Sequence, residues 1–297
     1  MDTQKVAKPF YGKVILRGHL RAVTGLHIGA GRETLQIGGL DLVVMRDPIT
    51  EYPYVPGSSL KGKLRSLLER RIATEAYPND PSVFFNRSVG QVKIHVCDTK
   101  EDAARCPVCR IFGASAGRNA EAGSNFPSRL RVRDAFLSAQ SAEYLRSAEV
   151  DGFTEIKSEN AIDRITSAAT PRTIERVPAG TDFVFEIVYD VENLKQLQED
   201  LENLAYCLAV LEDDYLGGHG SRGYGKVQFL LSEVTAKKTA AYAGDPKAQT
   251  TVLQGPGVSR AEPLDKPEDQ AWKTIADFRA SIADIVQFFE NEAPESS

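Results

Sequence analysis

Residues 193 to 214 place Leu194, Leu197, Leu201, Leu204, Leu208 and Leu211 at alternating spacings of three and four, the signature of an amphipathic helix. The segment after that helix constrains the chain further. The glycine-rich stretch Leu216-Gly217-Gly218-His219-Gly220-Ser221-Arg222-Gly223-Tyr224-Gly225-Lys226 leads into the apolar, β-prone run Val227-Gln228-Phe229-Leu230-Leu231. Gly218, Gly220 and Gly223 spell G-x-G-x-x-G, while Gly220, Gly225 and Lys226 spell most of a P-loop. Both phosphate loops follow a strand and open a helix, whose N-terminal amides and positive dipole end hold the anion. Here the order is helix, glycines, strand, and Val227 stands where a P-loop carries its magnesium-binding Ser or Thr. The order argues against ATPases and dehydrogenases. A third pattern survives: Arg222 to Phe229 approximates an RNA-recognition signature, with Lys226 at a position normally aromatic.

The other periodic segments complete an order. Lys13 to Val23 reads as a strand. Ser58 or Ser59 can cap a helix with Leu60, Leu64, Leu67, Leu68 and Ile72 on one face. Arg129 to Leu137 alternates with period two, with Arg129, Arg131 and Arg133 on one side and Leu130 and Val132 on the other. Phe183 to Tyr189 is another strand. The order β-α-β-β-α-β is that of the ferredoxin-like split βαβ used by RNA-recognition modules. The expected fold class is therefore α+β: a ferredoxin-like (RRM-like) palm over residues 10 to 235. Three long insertions interrupt it, at 25 to 57, 77 to 128 and 139 to 181. After Val234 the composition predicts a linker over 236 to 267. Residues 268 to 291 carry Trp272, Ile275, Phe278, Ile282, Ile285 and Phe289 on one stripe, which predicts a C-terminal helix that docks.

No run approaches the roughly 20 apolar residues of a membrane helix, and Met1-Asp2-Thr3-Gln4-Lys5 lacks a signal-peptide core. A cytoplasmic protein with no membrane partner is expected. The net charge of -5 hides a segregation: residues 1 to 71 hold 12 Lys+Arg against 6 Asp+Glu, and residues 182 to 297 hold 10 against 21. A basic face can bind phosphates by counterion release whatever the total.

His95, Cys97, Cys106 and Cys109 form H-x-C, eight residues, C-x-x-C. Four soft or borderline ligands suit tetrahedral zinc with no open position, hence a structural staple; the alternative is a set of reduced, metal-free side chains. Cys207 reads as buried filler. Lys61, Lys63 and Arg65, just after Pro56-Gly57-Ser58-Ser59, suit a phosphodiester backbone or are solvated helix charges. Arg129 and Arg131 carry the same two readings. Asp41, in the apolar run Ile37 to Val44, is a turn residue after two glycines, or a carboxylate that holds a divalent metal or assists deprotonation of an RNA 2′-hydroxyl. His27, His219 and Arg222 border glycine loops, where they can meet phosphate or ribose; histidines there also serve as hydrogen-bonding turn residues.

Several blocks together resemble the RAMP superfamily. They are Thr24-Gly25-Leu26-His27-Ile28-Gly29, Ile37-Gly38-Gly39-Leu40-Asp41, Val55 to Arg65, Cys106-Pro107-Val108-Cys109-Arg110-Ile111-Phe112-Gly113, Arg133 to Leu137, Lys157 to Arg164 and residues 214 to 229. More narrowly they resemble the repeated backbone subunit of type III-A (Csm) CRISPR effector complexes. The resemblance implies a palm that polymerises with further copies of itself along a guide RNA, beside other subunits of the complex. It also implies a thumb hairpin over residues 154 to 181 and cleavage of bound target RNA with a divalent metal (Mg2+ or Mn2+) at Asp41. Guide contacts carry over to Ser58, Lys61, Arg65 and His27.

Overall fold

A computed structural model describes residues 9–29, 43–115, 125–257 and 271–291. Its strands and helices run in the order β1 (Gly12–Ala22), β2 (Tyr54–Val55), α1 (Gly57–Ala76), β3 (Arg87–Val89), β4 (Val92–Ile94), α2 (Lys100–Arg105), α3 (Pro107–Phe112), β5 (Leu130–Val132), β6 (Ala135–Leu137), α4 (Ala139–Ser147), β7 (Glu155–Ile162), β8 (Ala169–Arg176), β9 (Asp182–Val191), α5 (Leu194–Asp213), β10 (Val227–Lys238), α6 (Thr239–Tyr242), β11 (Gln249–Gln254), α7 (Ile275–Ala280) and α8 (Ile282–Glu290). The main sheet has the order β11-β10-β1-β9-β6-β2, with β5 also beside β9. Its named pairs are antiparallel. The protein is thus a mixed α/β structure built on an antiparallel sheet.

One sheet face is apolar because β1, β9 and β10 direct Val14, Leu16, Leu20, Phe185, Ile187, Phe229 and Val234 into a single core with α1 and α5. Leu60, Leu64, Leu67 and Leu68 of α1 are buried there, as are Leu197, Leu201, Leu204, Leu208 and Leu211 of α5. The leucine spacing alone put these stripes on the correct faces. The other sheet face carries a charge ladder. Lys13 pairs with Asp190 at 2.5 Å, Arg17 with Glu186 at 2.9 Å and Glu233 at 3.3 Å, and Arg21 with Asp182 at 2.7 Å. Arg131 and Arg133 add to Asp190 and Glu186 from the neighbouring strand.

Four sequence expectations change. The strand expected over 129 to 137 is two, because Val132 pairs with Ile187 and Phe136 with Val184, a register that accommodates one extra residue. That bulge turns Asp134 toward α1, where its carboxylate accepts the Gly57 N–H at 2.7 Å. Helix α1 therefore starts at Gly57 behind Pro56 without a side-chain cap of its own, and neither Ser58 nor Ser59 caps it. Only glycine fits at 57, since a Cβ would lie 2.2 Å from the Val132 carbonyl. Next, the linker expected over 236 to 267 is partly ordered sheet: β10 runs to Lys238 and β11 pairs with its outer edge. Last, the expected C-terminal helix is two, α7 and α8, meeting at Ser281. Both bury the predicted stripe (Ile275, Phe278, Ile282, Ile285, Phe289) in the main core, while Trp272 lies before α7 and packs on His19 at 5.1 Å. No helix among the described residues is long and apolar enough to cross a membrane.

Candidate nucleic-acid interface and metal centre

The glycine stretch after α5 is a close-approach turn. Gly217 has φ +79 and its backbone lies so near the His27 carbonyl that a Cβ would sit 2.2 Å away. The Gly218 N–H donates to that same carbonyl at 2.9 Å, and the Gly225 N–H to the Gly25 carbonyl at 3.0 Å. The turn is thus laced to residues 25 to 29. His219, in the left-handed region at φ 63, packs edge-on against His27 with ring centroids 5.6 Å apart. His27 is buried; its Nδ1 lies 2.7 Å from the Glu175 carbonyl and donates there, leaving Nε2 as an acceptor. The His219 Nδ1 is buried without a hydrogen-bond partner. Burial of the ring, followed by the cation of Arg222 and by His27, lowers its pKa, so the ring stays neutral and can accept or donate one hydrogen bond.

Beside this turn stands the hairpin β7–β8. It is tied to the palm by the Tyr224 hydroxyl, which donates to Glu159 at 2.8 Å, and by Arg176, which pairs within the hairpin with Glu155 at 2.6 Å and lies 4.9 Å from the Tyr224 ring centroid. Arg222 lies 3.8 Å from Glu159 and is more than half exposed. A cavity of about 590 Å³ opens between hairpin and turn, lined by Asn160, Thr170, Arg172, His219 and Arg222 among others. A second tie uses Glu175. Burial alone would raise its pKa, but the Val44 amide, the Thr154 hydroxyl and the Arg46 guanidinium outweigh that and hold it below the ordinary carboxylate range. The bridge between Gly29 and Val44, with the Met45 N–H on the Ile28 carbonyl at 2.8 Å, brings together the two flanks of residues 30 to 42. Asp41 belongs to that stretch and lies outside the described residues. Sequence reasoning missed Tyr224, Glu159 and Glu175; the only signal for Glu159 was its membership of the Lys157 to Arg164 block.

The cations expected to meet RNA divide into three groups. Arg129 is corrected: it is 4% exposed, and its guanidinium is spent on Asp200 at 2.9 Å, Gln196 at 2.8 Å and Glu192 at 3.3 Å, so it does not face RNA. Lys63 and Arg65 are half-buried and tied down, the first on Asp214 at 3.0 Å and the second on Glu69, Gly113 and His95. Lys61 donates to Ser128 Oγ at 2.8 Å and the Leu130 carbonyl at 2.9 Å, which leaves one ammonium N–H. Burial first, then the nearby charges of Arg65 and Arg131, lowers its pKa, which marks positive potential at this point. Ser58 is exposed at the start of α1, and the Arg131 side chain is half exposed.

His95, Cys97, Cys106 and Cys109 converge, with their ligand atoms all within 4.8 Å of one another. His95 Nδ1 sits 3.0 Å from the Phe84 carbonyl, and Nε2 lies 3.4 Å from both Cys97 Sγ and Cys106 Sγ. The hydrogen bond at Nδ1 fixes the tautomer that points a lone pair at the sulfurs, as metal-bound histidines require. A hydrogen bond from Cys109, with His95 adding to it, pulls the Cys106 thiol down to about 4, whereas burial and Cys106 push Cys97 up to about 11. The cluster can hold a metal ion. Cys207 is buried on α5, as expected.

An antiparallel sheet backed by two helices, a glycine turn laced to residues 25 to 29 and a projecting hairpin together define a RAMP-type protein, and the family model described as "RAMP superfamily" matches residues 19–228. The chain belongs to the RAMP superfamily and, within it, to the Csm3 family. It is 39% identical over 224 residues to the "CRISPR system Cms endoribonuclease Csm3" of Enterococcus italicus, covering 75% of this chain and 92% of that protein. It is 37% identical over 258 residues to the protein of the same name from Methanothermobacter thermautotrophicus, covering 81% and 93%. Its fold is similar to the crystal structure of Methanopyrus kandleri Csm3, with a TM-score of 0.63 and 26% identity over 97% of this chain and all of that one. A Csm3–Csm4 subcomplex of the type III-A CRISPR-Cas interference complex gives 0.53 and 25%, covering 93% and 97%.

Proposed function

We propose that this chain is a guide-RNA-binding backbone subunit of a type III CRISPR ribonucleoprotein, and that it is an endoribonuclease which cleaves bound complementary target RNA at regular intervals. Membership of a family whose relatives carry the name Csm3 endoribonuclease supports the activity. The observation that carries the location of cutting is the Gly29–Val44 bridge, which gathers the flanks of the Asp41 segment beside His27, the glycine turn and the hairpin base. On this reading β10-β1-β9-β5/β6 with α1 and α5 is a ferredoxin-like palm, and β7–β8 is the thumb.

Guide phosphates meet Ser58, Lys61 and Arg131 at the start of α1, with Arg222 and His219 contacting RNA across the cavity at the hairpin base. His27, with Nδ1 occupied, orients the turn through its carbonyl. Arg65, with Nε, Nη1 and Nη2 each bonded to protein, acts from behind, as does Lys63, which is held by Asp214 and the Tyr215 ring. Asp41 supplies the anionic oxygen that a divalent cation, Mg2+ or Mn2+, takes; when bound, that cation stabilises charge on the phosphodiester under attack. The cysteine–histidine cluster fits structural zinc, with all four positions filled by protein. Further copies of the chain and other subunits complete the complex, with target choice delegated to base pairing. Reduced cysteines fit a cytoplasmic setting.

The test is Asp41→Ala. Guide binding and assembly are expected to persist while cleavage of target RNA in Mg2+ or Mn2+ is lost. Unchanged cleavage would transfer the chemistry to another subunit and leave this one architectural.

A further inference from the structure

Arg65 lies on α1, yet its guanidinium makes three bonds that have nothing to do with solvent. Nη2 donates to the His95 carbonyl at 2.6 Å, Nη1 to the Gly113 carbonyl at 2.9 Å, and Nε to Glu69 Oε1 at 2.8 Å. The same Glu69 oxygen accepts the His95 N–H at 3.3 Å. His95 is a ligand at one side of the metal cluster. Gly113 ends α3, which with its N-cap residue Cys106 and its own Cys109 supplies the other side, and its N–H bonds back to the Cys109 carbonyl at 2.9 Å. One planar fork therefore spans the two halves of the cluster. A guanidinium donates along fixed directions, so both bonds form together only when the two carbonyls stand at one separation.

A second line of contact runs parallel to the first. The Ile111 carbonyl of α3 lies 2.7 Å from Ser128 Oγ, which accepts from Lys61 Nζ at 2.8 Å. Lys61 and Arg65 of α1 are thus both indexed to the backbone that carries the cysteines. A metal ion joining His95 and Cys97 to Cys106 and Cys109 fixes the separation that Arg65 spans. The two halves also meet at the cluster through the Cys97 N–H, which donates to Cys109 Sγ at 3.3 Å.

We propose that Arg65 is a positioning residue that couples metal occupancy of the His95–Cys97–Cys106–Cys109 cluster to RNA affinity of the α1 face. This rests on the reading that Ser58 and Lys61 meet guide phosphates. Metal binding preorganises Lys61 beside Arg131, so RNA finds a fixed cationic edge; by linkage, RNA must tighten the hold on metal by the same factor. The coupling is a claim about Arg65 as a reader of backbone geometry, distinct from a direct phosphate contact.

The experiment measures zinc transfer from the full-length protein to a chromogenic chelator, with and without saturating single-stranded guide RNA. In the wild type, RNA is expected to shift the equilibrium partition of zinc toward the protein, on the order of five- to tenfold in apparent affinity. Arg65→Lys keeps the charge but cannot bridge two carbonyls and Glu69; RNA should still bind, and the protection should fall toward none. Equal partition with and without RNA, in protein shown by the same titration to bind it, overturns the coupling; so does full protection in Arg65→Lys, and so does protein purified without zinc. The wild-type ratio tests the coupling by itself, and the Arg65→Lys comparison assigns it to Arg65. Wild type that binds no guide RNA fails at an earlier step, overturning the guide reading and with it the coupling.

Discussion

The insertion over residues 77 to 128 meets the palm through buried charge. Arg110, next to the cluster residue Cys109, is 2% exposed; it reaches Asp200 of α5 at 2.6 Å and also pairs with Glu199, while Arg129 and the Tyr189 hydroxyl satisfy the other oxygen of Asp200. Among the described residues the hairpin β7–β8 meets the palm through its lower half, and along Ala161 to Pro171 its residues are exposed up to the tip, where Ile165 is 94% exposed. The two insertions are opposites in attachment. One is built into the palm so that α1 and α5 sit against it; the other is anchored at one end and extends outward, where it can meet another molecule. An element that must hold a surface rigid buries its ties, whereas an element that must enter a partner keeps its tip free of them.

The sharpest way to break this contrast is at Asp200. Burial raises its pKa, against the opposing pull of Arg110, Tyr189 and Arg129, and the carboxylate is fully enclosed. Asp200→Ala leaves two buried guanidinium groups short of their partner, and removing one side of a buried pair costs about 3–5 kcal/mol. Chemical denaturation should register that loss. A change below about 1 kcal/mol would mean that the insertion is not riveted here.

At the hairpin base the expected effect is smaller. Glu175→Gln removes the charge that holds Arg46, the Thr154 hydroxyl and the Val44 amide, with an expected loss of about 1–3 kcal/mol at neutral pH. The depressed pKa sets the sign of the pH dependence. A glutamate held below its ordinary 4.5 when folded contributes stability that is full above that value and is lost as pH falls through the folded pKa. Wild type should therefore lose more stability than Glu175→Gln as pH drops from 4.5 into that acid window; parallel curves would remove Glu175 from the account.

Features encoded by neighbours in sequence were legible, and features made by distant partners were not. The leucine stripes of α1 and α5 announce themselves because their spacing alone sets their geometry, and the paired motifs holding His95, Cys97, Cys106 and Cys109 announced a group that the fold brings within 4.8 Å. Arg129 misled: period-two alternation groups it with Arg131 and Arg133, but β5 begins only at Leu130, and Arg129 turns inward toward a carboxylate 71 positions away. Asp200 itself looks like an ordinary helix charge. Strand β11, Gln249-Thr250-Thr251-Val252-Leu253-Gln254, is a polar edge strand lacking the continuous apolar run of a central one, so its composition matched a linker. The tied-down state of Arg65 was hidden for the same reason, since its acceptors are backbone carbonyls at 95 and 113, which no residue type reveals.

The smallest effect on stability separates the free tip from its nearest likeness within the molecule. Asp163-Arg164-Ile165-Thr166 and Asp47-Pro48-Ile49-Thr50 form the same turn. In each, one Asp oxygen accepts the Ile N–H, the Thr N–H and the Thr hydroxyl, and the next residue has a positive φ. Each lifts an isoleucine into solvent, 94% exposed for Ile165 and 90% for Ile49. Neither side chain supports the fold, so Ile165→Asp and Ile49→Asp should each change stability by less than about 0.5 kcal/mol. Target engagement should separate them. Ile165 caps the hairpin read as the thumb, beside Arg164, and an apolar tip near RNA can wedge against bases where an aspartate would be repelled by phosphates. Ile165→Asp is expected to weaken binding of complementary target RNA several-fold in the assembled complex, and Ile49→Asp to leave it unchanged. Because the two turns share their geometry, equal effects in the two variants would show that position on the hairpin confers nothing, and the contrast between fixed and reaching insertions would lose its functional half.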